Sequence, residues 1–373
     1  MKPPTTRSTI GAVLTGCLSA ALLPASAAHA AEVRTADSTT VKSFARIADA
    51  VLTERTETLV NARPAKHMAP RHSGTVRLSK RLARAEDTAL SSLETRKDRL
   101  ASLGEAYTDA DTRVRVGSTR VRGGKATVRV TETTTLTYQK IRGDEPATTG
   151  FQAHHELSLT AGPDGTWQLT GIRPTDEGPR PVNAPAGKAA AASAASGPNA
   201  TPAATSWPAP SRPKTGGAYN YAAMATYAEK YWSNYNPAYR KFNDVGGDCT
   251  NFISQALKAG GWKNDSGLYS DYRNWWYDSS NQTMSWVGAD DWSWFTLSSR
   301  RATNLSNVYQ LGVGDILQMD FDRDGSKDHS MITTYRSRSG VPYLTYHSTN
   351  TYRKSVASIV ASYPRSLYYA YRT

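Results

Sequence analysis

Cysteine is almost missing: the 373 residues contain two, Cys17 and Cys249. Two cysteines cannot build a disulfide framework, so a small cross-linked scaffold is excluded. Long apolar runs are missing as well, and no stretch reaches the roughly 18 uninterrupted apolar residues of a membrane span. A concentrated basic face is the third absence. The net charge is +13, yet the excess is spread: two before residue 31, five over 31–180, three over 181–215 and three over 216–373. Charge so evenly interleaved with acids argues against a nucleic-acid binder. It allows only loose attraction to an anionic surface such as a cell envelope.

The first thirty residues are processing signal, not fold. Lys2 and Arg7 open a basic start, Ile10 to Leu23 is apolar, and Ala28-His29-Ala30 offers a small-x-small cleavage pattern. That predicts a secretory signal peptide over 1–30 and a secreted chain starting near Ala31. Leu14-Thr15-Gly16-Cys17 also fits a lipoprotein box, which would anchor the chain through Cys17. The apolar run continues past Cys17 to Leu23, which favours soluble export. Cys249 is then the single thiol of the mature chain: a site of intermolecular pairing, an inert core residue or a nucleophile.

Composition divides the rest in three. Over 31–173, Phe44, Ile47, Val51, Leu52 and Leu59 recur at helical spacing, as do Leu78, Leu82, Ala89, Leu93 and Leu100. From about Thr112 the period drops to two, with turns at Gly123-Gly124 and Pro163-Asp164-Gly165. Two helices and a four-strand antiparallel meander make this an α+β accessory domain, and the element order resembles nuclear-transport-factor-2-like domains. His154 and Glu156 share a strand face, but two ligands without a third are more often surface residues than a metal site. Residues 174–215 are rich in Pro, Ala and Gly and read as an extended, flexible linker. Residues 216–373 form a second α+β domain rich in Tyr, Trp and Asn.

That second domain holds the chemistry. Gly246-Gly247-Asp248-Cys249-Thr250-Asn251-Phe252-Ile253 runs into a helix closed at Gly260-Gly261, which puts Cys249 at a helix N-terminus. Free N–H groups and the helix dipole there lower a thiol's pKa and favour the thiolate. Strands are predicted at Gly314–Met319, from His329 onward and at Tyr343–His347. Adjacent strands could bring His329 beside the thiol as base, with His347, or Asn350 in its stead, orienting it.

These motifs together resemble the family of putative amidase domains, a branch of the NlpC/P60-type, papain-like cysteine hydrolases, over 216–373. The resemblance implies a papain-like fold and cleavage of amide or peptide bonds, commonly in peptidoglycan. It assigns Cys249 as nucleophile, His329 as base and His347 as third residue. Substrate-facing candidates are Asp248 and the aromatic pair Trp275 and Trp276, with Trp286, Trp292 and Trp294 as core or as more of a stacking wall. No cofactor is required. Asp320, Asp322, Asp324 and Asp328 follow a calcium-loop spacing, but Met331 stands where such a loop carries Glu, leaving a weak structural-calcium site. The rival reading is an envelope-binding protein of the same fold without turnover.

Overall fold

The computed structural model describes residues 34–61, 76–185, 200–209 and 218–373. The signal expected over 1–30, Cys17 included, lies outside them. Helix α1 (Ser38–Glu57) is opened by Asp37, whose carboxylate accepts from the N–H groups of Thr39 and Thr40. A short strand, β1 (Arg77–Leu78), leads to α2 (Lys80–Ser102), capped by Ser79. A buried Arg55–Glu86 ion pair of 2.6 Å joins the two helices. The meander follows as β2 (Tyr107–Arg122), β3 (Lys125–Tyr138), β4 (Thr148–Ala161) and β5 (Trp167–Pro174). Along β3 burial alternates with period two, and Ala126, Val128 and Val130 pack on Phe44, Ile47 and Val51 of α1. Two helices and an antiparallel meander are thus observed, with β1 added parallel to β5.

The second half runs α3 (Tyr221–Tyr231), α4 (Cys249–Ala259), α5 (Met284–Val287), α6 (Ala289–Ser298), β6 (Thr303–Leu305), β7 (Ile316–Asp320), β8 (His329–Arg336), β9 (Pro342–Tyr346), β10 (Asn350–Ser355), α7 (Val356–Ser362) and β11 (Leu367–Arg372). Met224, Phe252, Trp292, Ile316 and Ile332 form the core between the α3, α4 and α6 layer and one sheet face. Leu317, Met331, Leu344 and Tyr346 fill the other face with Val356 and Ile359 of α7.

One strand ties the halves together. β3 pairs with one edge of β4 from end to end, while the other edge is shared. His155–Ala161 take β5, and Gly150–Gln152 take β10. Among the described residues the strand order is β1-β5-β4-β10-β9-β8-β7-β11-β6, with β3 and β2 attached through β4. The sheet is mixed and the fold α+β.

The flexible linker expected over 174–215 needs correction at both of its described ends. Val182, Asn183 and Ala184 are buried. Their chain is held by the Arg96 guanidinium, which donates to Val182 O at 2.5 Å and Ala184 O at 2.6 Å. Further on, Ala203 N donates to Tyr368 O, and Trp207 lies 4.7 Å from Tyr309. Proline-rich composition argues against regular structure, since proline lacks an N–H donor. It does not stop carbonyls from finding donors on a neighbouring helix, which is what happened here.

Candidate functional site

Helix α4 forms because Phe252, Ile253, Ala256 and Leu257 make a stripe that is 0% exposed. It ends at Gly260, where a Cβ would lie 2.3 Å from Met224 Cγ, so only glycine lets α3 pack so close. Cys249 is its first residue, as the sequence predicted.

Asp248 stands at the N-cap position but its side chain does not cap the helix. Oδ1 accepts from Phe242 N at 3.0 Å and from the Asn251 amide at 2.9 Å. Oδ2 lies 2.8 Å from His347 Nδ1. The other ring nitrogen, Nε2, lies 2.9 Å from Tyr231 O, and the ring is sandwiched between Tyr235 at 4.1 Å and Phe252 at 4.0 Å. His347 therefore faces an oxygen acceptor at each nitrogen. Asp248 is 0% exposed, so it holds the scaffold rather than facing a substrate. This corrects the expectation from sequence.

A hydroxyl pair sets the thiol against β8: Thr250 Oγ1 lies 3.0 Å from Ser330 Oγ. Cys249 Sγ is 3.6 Å from Thr250 Oγ1 and is reached by the Ser330 N–H. His329 precedes Ser330 as the first residue of β8. Alternation along the strand sends Ile332 toward α4 and Met331 toward Tyr346. The His329 ring goes with Met331, meeting Tyr346 edge-on at 5.2 Å. Its Nε2 is buried without a hydrogen-bond partner among the described residues, so no hydrogen bond joins it to the thiol.

Electrostatics departs from the sequence expectation. Burial pushes the Cys249 thiol up, and the nearby Asp248 charge adds to the rise, against the Thr250 hydroxyl and the Ser330 N–H. The helix N-terminus is present, but the thiol beginning it is only 8% exposed, and its pKa lies above the ordinary thiol value. Burial also drives His329 down to about 3, with His347 as a smaller cause. Thiol and imidazole are both held neutral.

Residues 175–180, the continuation of β5, lie against the His329 ring and beside Gly247. Gly178 has φ +103°, and a Cβ there would lie 2.2 Å from Ser348 O, 3.0 Å from His329 Nδ1 and 3.2 Å from its Cε1. Glu177 Oε2 would lie 3.8 Å from a Cβ on Gly247, two residues before the thiol. Gly178, Glu177 and Tyr235 escaped the sequence reading. For the first two no signal existed, because their role depends on where β5 ends.

The remaining candidates separate. Asn350 accepts from Tyr235 OH at 3.0 Å and does not orient His329. Trp275, with Trp286 and Trp292, is core at 0–1% exposure, which corrects its substrate-facing assignment. The Trp275 indole N–H donates to Ser254 of α4 at 3.3 Å. Trp276 is half-buried, its N–H donating to Gly267 O at 3.0 Å. His154 pairs with Asp176 at 2.8 Å and Glu156 with Arg173 at 2.7 Å, so they form no joint metal site. Carboxylate oxygens of Asp320, Asp322 and Asp328 lie within 4.8 Å of one another, without Asp324. Such an oxygen set suits a hard cation. Burial, then the charges of Asp322, Asp320 and Asp324, raises Asp328 to about 6.

Comparison with known proteins bears on this half of the chain. No solved structure gives a significant match. The chain is 33% identical over 159 residues to the uncharacterized protein YhbB of Bacillus subtilis (strain 168), covering 41% of this chain and 49% of that one. It is 34% identical over 140 residues to the uncharacterized protein YjcM of the same organism, covering 35% and 31%. The chain thus spans half or less of the curated relatives it matches. Residues 218–371, which carry Cys249, His329 and His347, match the family described as "Putative amidase domain", and amide hydrolysis is the activity that family suggests.

Proposed function

We propose that the chain is an exported cysteine hydrolase that cleaves amide or peptide bonds in cell-wall peptides. One observation carries the reading: the thiol that begins α4 is registered against the start of β8 by the Thr250–Ser330 hydroxyl pair, with His329 next in chain. A Cys on a helix packed against antiparallel strands that bear a His is a papain-like arrangement. His329 is the base because its Nε2 is free of partners among the described residues, whereas both nitrogens of His347 are engaged. His347 acts with Asp248 to fix the start of α4.

In the reaction, Cys249 Sγ gives its proton to His329 and bonds to the carbonyl carbon. His329 returns that proton to the leaving amine as the C–N bond breaks, leaving a thioester. Water then loses a proton to His329, attacks the thioester carbonyl and releases the acid, and the sulfur recovers its proton. No cofactor enters these steps. A cation held by Asp320, Asp322 and Asp328 would act only by stiffening the turn that delivers His329. Export rests on the leader pattern of residues 1–30.

A second reading, an envelope-binding protein without turnover, is favoured by the burial of both thiol and imidazole. Incubating wild type, Cys249→Ala and His329→Ala with cell-wall peptides and weighing the products decides between them. New amide cleavage by wild type, however slow, and none by either variant is expected. Full activity of Cys249→Ala would refute the mechanism.

A further inference from the structure

The His329 ring is covered by the chain's own backbone. β5 pairs with β4 only from His155 onward, and β10 begins on the same edge at Gln152. The chain leaving β5 at Pro174 therefore exits through the gap between the two strands, where Thr175 N donates to His154 O. That route takes Glu177 and Gly178 over Gly247, His329 and Ser348. Beyond it, Asn183 is buried and donates to Thr56 Oγ1 at 2.8 Å and Glu132 Oε1 at 2.6 Å. Glu132 is itself paired with His155 at 2.8 Å. This far end is deeply anchored. The near end is held by the Asp176 carboxylate, which accepts from the His154 N–H at 2.6 Å and meets its ring at 2.8 Å; the His154 side chain is 42% exposed.

We infer that residues 175–180 are an autoinhibitory strap, which closes the cleft over Cys249 and holds the His329 ring against Tyr346 until the Asp176 end lets go. The inference rests on the amide-hydrolysing reading above. Three independent observations carry it. The thiol and imidazole are 8% and 1% exposed, too little for a peptide carbonyl to reach the sulfur. Gly178 packs so tightly that a methyl group would meet Ser348 O at 2.2 Å. The two ends differ in strength, one buried in the first core and one at the surface, so the strap has a natural point of release. The neutral thiol and imidazole are a consequence of the same cover: displacing the strap admits water and returns both groups toward the charged pair that attack requires.

The test measures access to the sulfur, independently of catalysis. Full-length wild type, Gly178→Val and Asp176→Ala are treated with iodoacetamide at neutral pH, and alkylation of the Cys249 peptide is followed by mass spectrometry. Gly178→Val cannot seat the strap, and Asp176→Ala removes both bonds of the pin, to the His154 N–H and to its ring, while leaving the core intact. Labelling at least about tenfold faster in both variants is expected, with circular dichroism melts confirming fold. Wild-type labelling rates in a folded Asp176→Ala would overturn the strap, and this holds even if Gly178→Val does not fold. Cell-wall peptide hydrolysis is measured alongside. Faster labelling without hydrolysis keeps the strap and discards the hydrolase, whereas hydrolysis by wild type at the rate of the variants discards the strap.

Discussion

Asp248 offers the sharpest test of what holds the Cys249 thiol in place. Its carboxylate is 0% exposed and serves three buried donors: Phe242 N, the Asn251 amide and His347 Nδ1. Asp248→Ala strands all three, at about 1–3 kcal/mol for each buried unsatisfied group, so a loss of about 3–6 kcal/mol is expected after relaxation. Asp248→Asn has the same shape. Its carbonyl oxygen still accepts from Phe242 and Asn251, and its amide donates to a His347 ring that keeps only the Nε2 proton, which Tyr231 O continues to accept. The cost should then fall to about 1–2 kcal/mol. Urea unfolding followed by tryptophan fluorescence gives both values by linear extrapolation. Ala and Asn variants equal within about 0.5 kcal/mol would show that donor satisfaction is not what Asp248 supplies. A variant of unchanged stability whose peptide KM rises would return Asp248 to the substrate-facing role that the sequence suggested.

Two further expectations concern the frame around the site. At Gly260, alanine places its Cβ 2.3 Å from Met224 Cγ and 3.1 Å from Asn220 O, so Gly260→Ala should cost about 1–3 kcal/mol. Adding Met224→Ala should recover part of that, and an additive double-mutant cycle would mean the two sites do not compete for space. Glu105, with a buried Oε2 that has no partner among the described residues, is raised by burial to about 7, and Lys354 is lowered by burial to about 7. Below pH 7 the folded state holds a proton on Glu105 that the unfolded chain gives up, so this group's contribution to stability rises as pH falls toward the ordinary glutamate value. Above pH 7 the folded state has already lost the Lys354 proton that the unfolded chain keeps, so that contribution rises with pH. Comparing urea midpoints at pH 5 and 7, wild type should gain stability relative to Glu105→Gln at the lower pH; parallel midpoints would refute the buried carboxyl.

How much of this was legible in the sequence follows from the range of each interaction. Helix α4 was readable because its stripe and closing glycines are local, and β3 was readable because valine alternation is local too. His329 on β8 and His347, one residue past the end of β9, could be placed near one another for the same reason, since the turn between β8 and β9 is short. Facing is harder than adjacency. One residue of offset along β8 sends Ser330 toward α4 and His329 toward Tyr346, and no periodicity in an eight-residue run fixes that choice at the strand's first position. The thiol's electrostatics failed for a related reason. A helix N-terminus is visible in sequence, but the depth to which folding buries its thiol is not.

The unreadable part has one origin. β4 is 14 residues long, and β5, at 8 residues, covers only part of its free edge. The remainder of that edge is an unpaired row of N–H and C=O groups, which a second sheet can satisfy as well as solvent can. β10 does so at Gly150–Gln152, fusing the two halves. Once that pairing is made, the chain leaving β5 has a single way out, past His154 and across the gap at whose floor His329 sits. Gly178 follows from this route, because a backbone squeezed between Ser348 O and an imidazole at positive φ leaves no room for a side chain. The first half is thus coupled to the candidate site through the β4 edge, beside the core that Leu93, Tyr107 and Leu136 share with Tyr343 and Ala361. Shortening β4 by deleting residues from its Thr148 end, with β5 left intact, should open the cleft to alkylation by iodoacetamide; unchanged protection of Cys249 in a folded deletion variant would break that chain of reasoning.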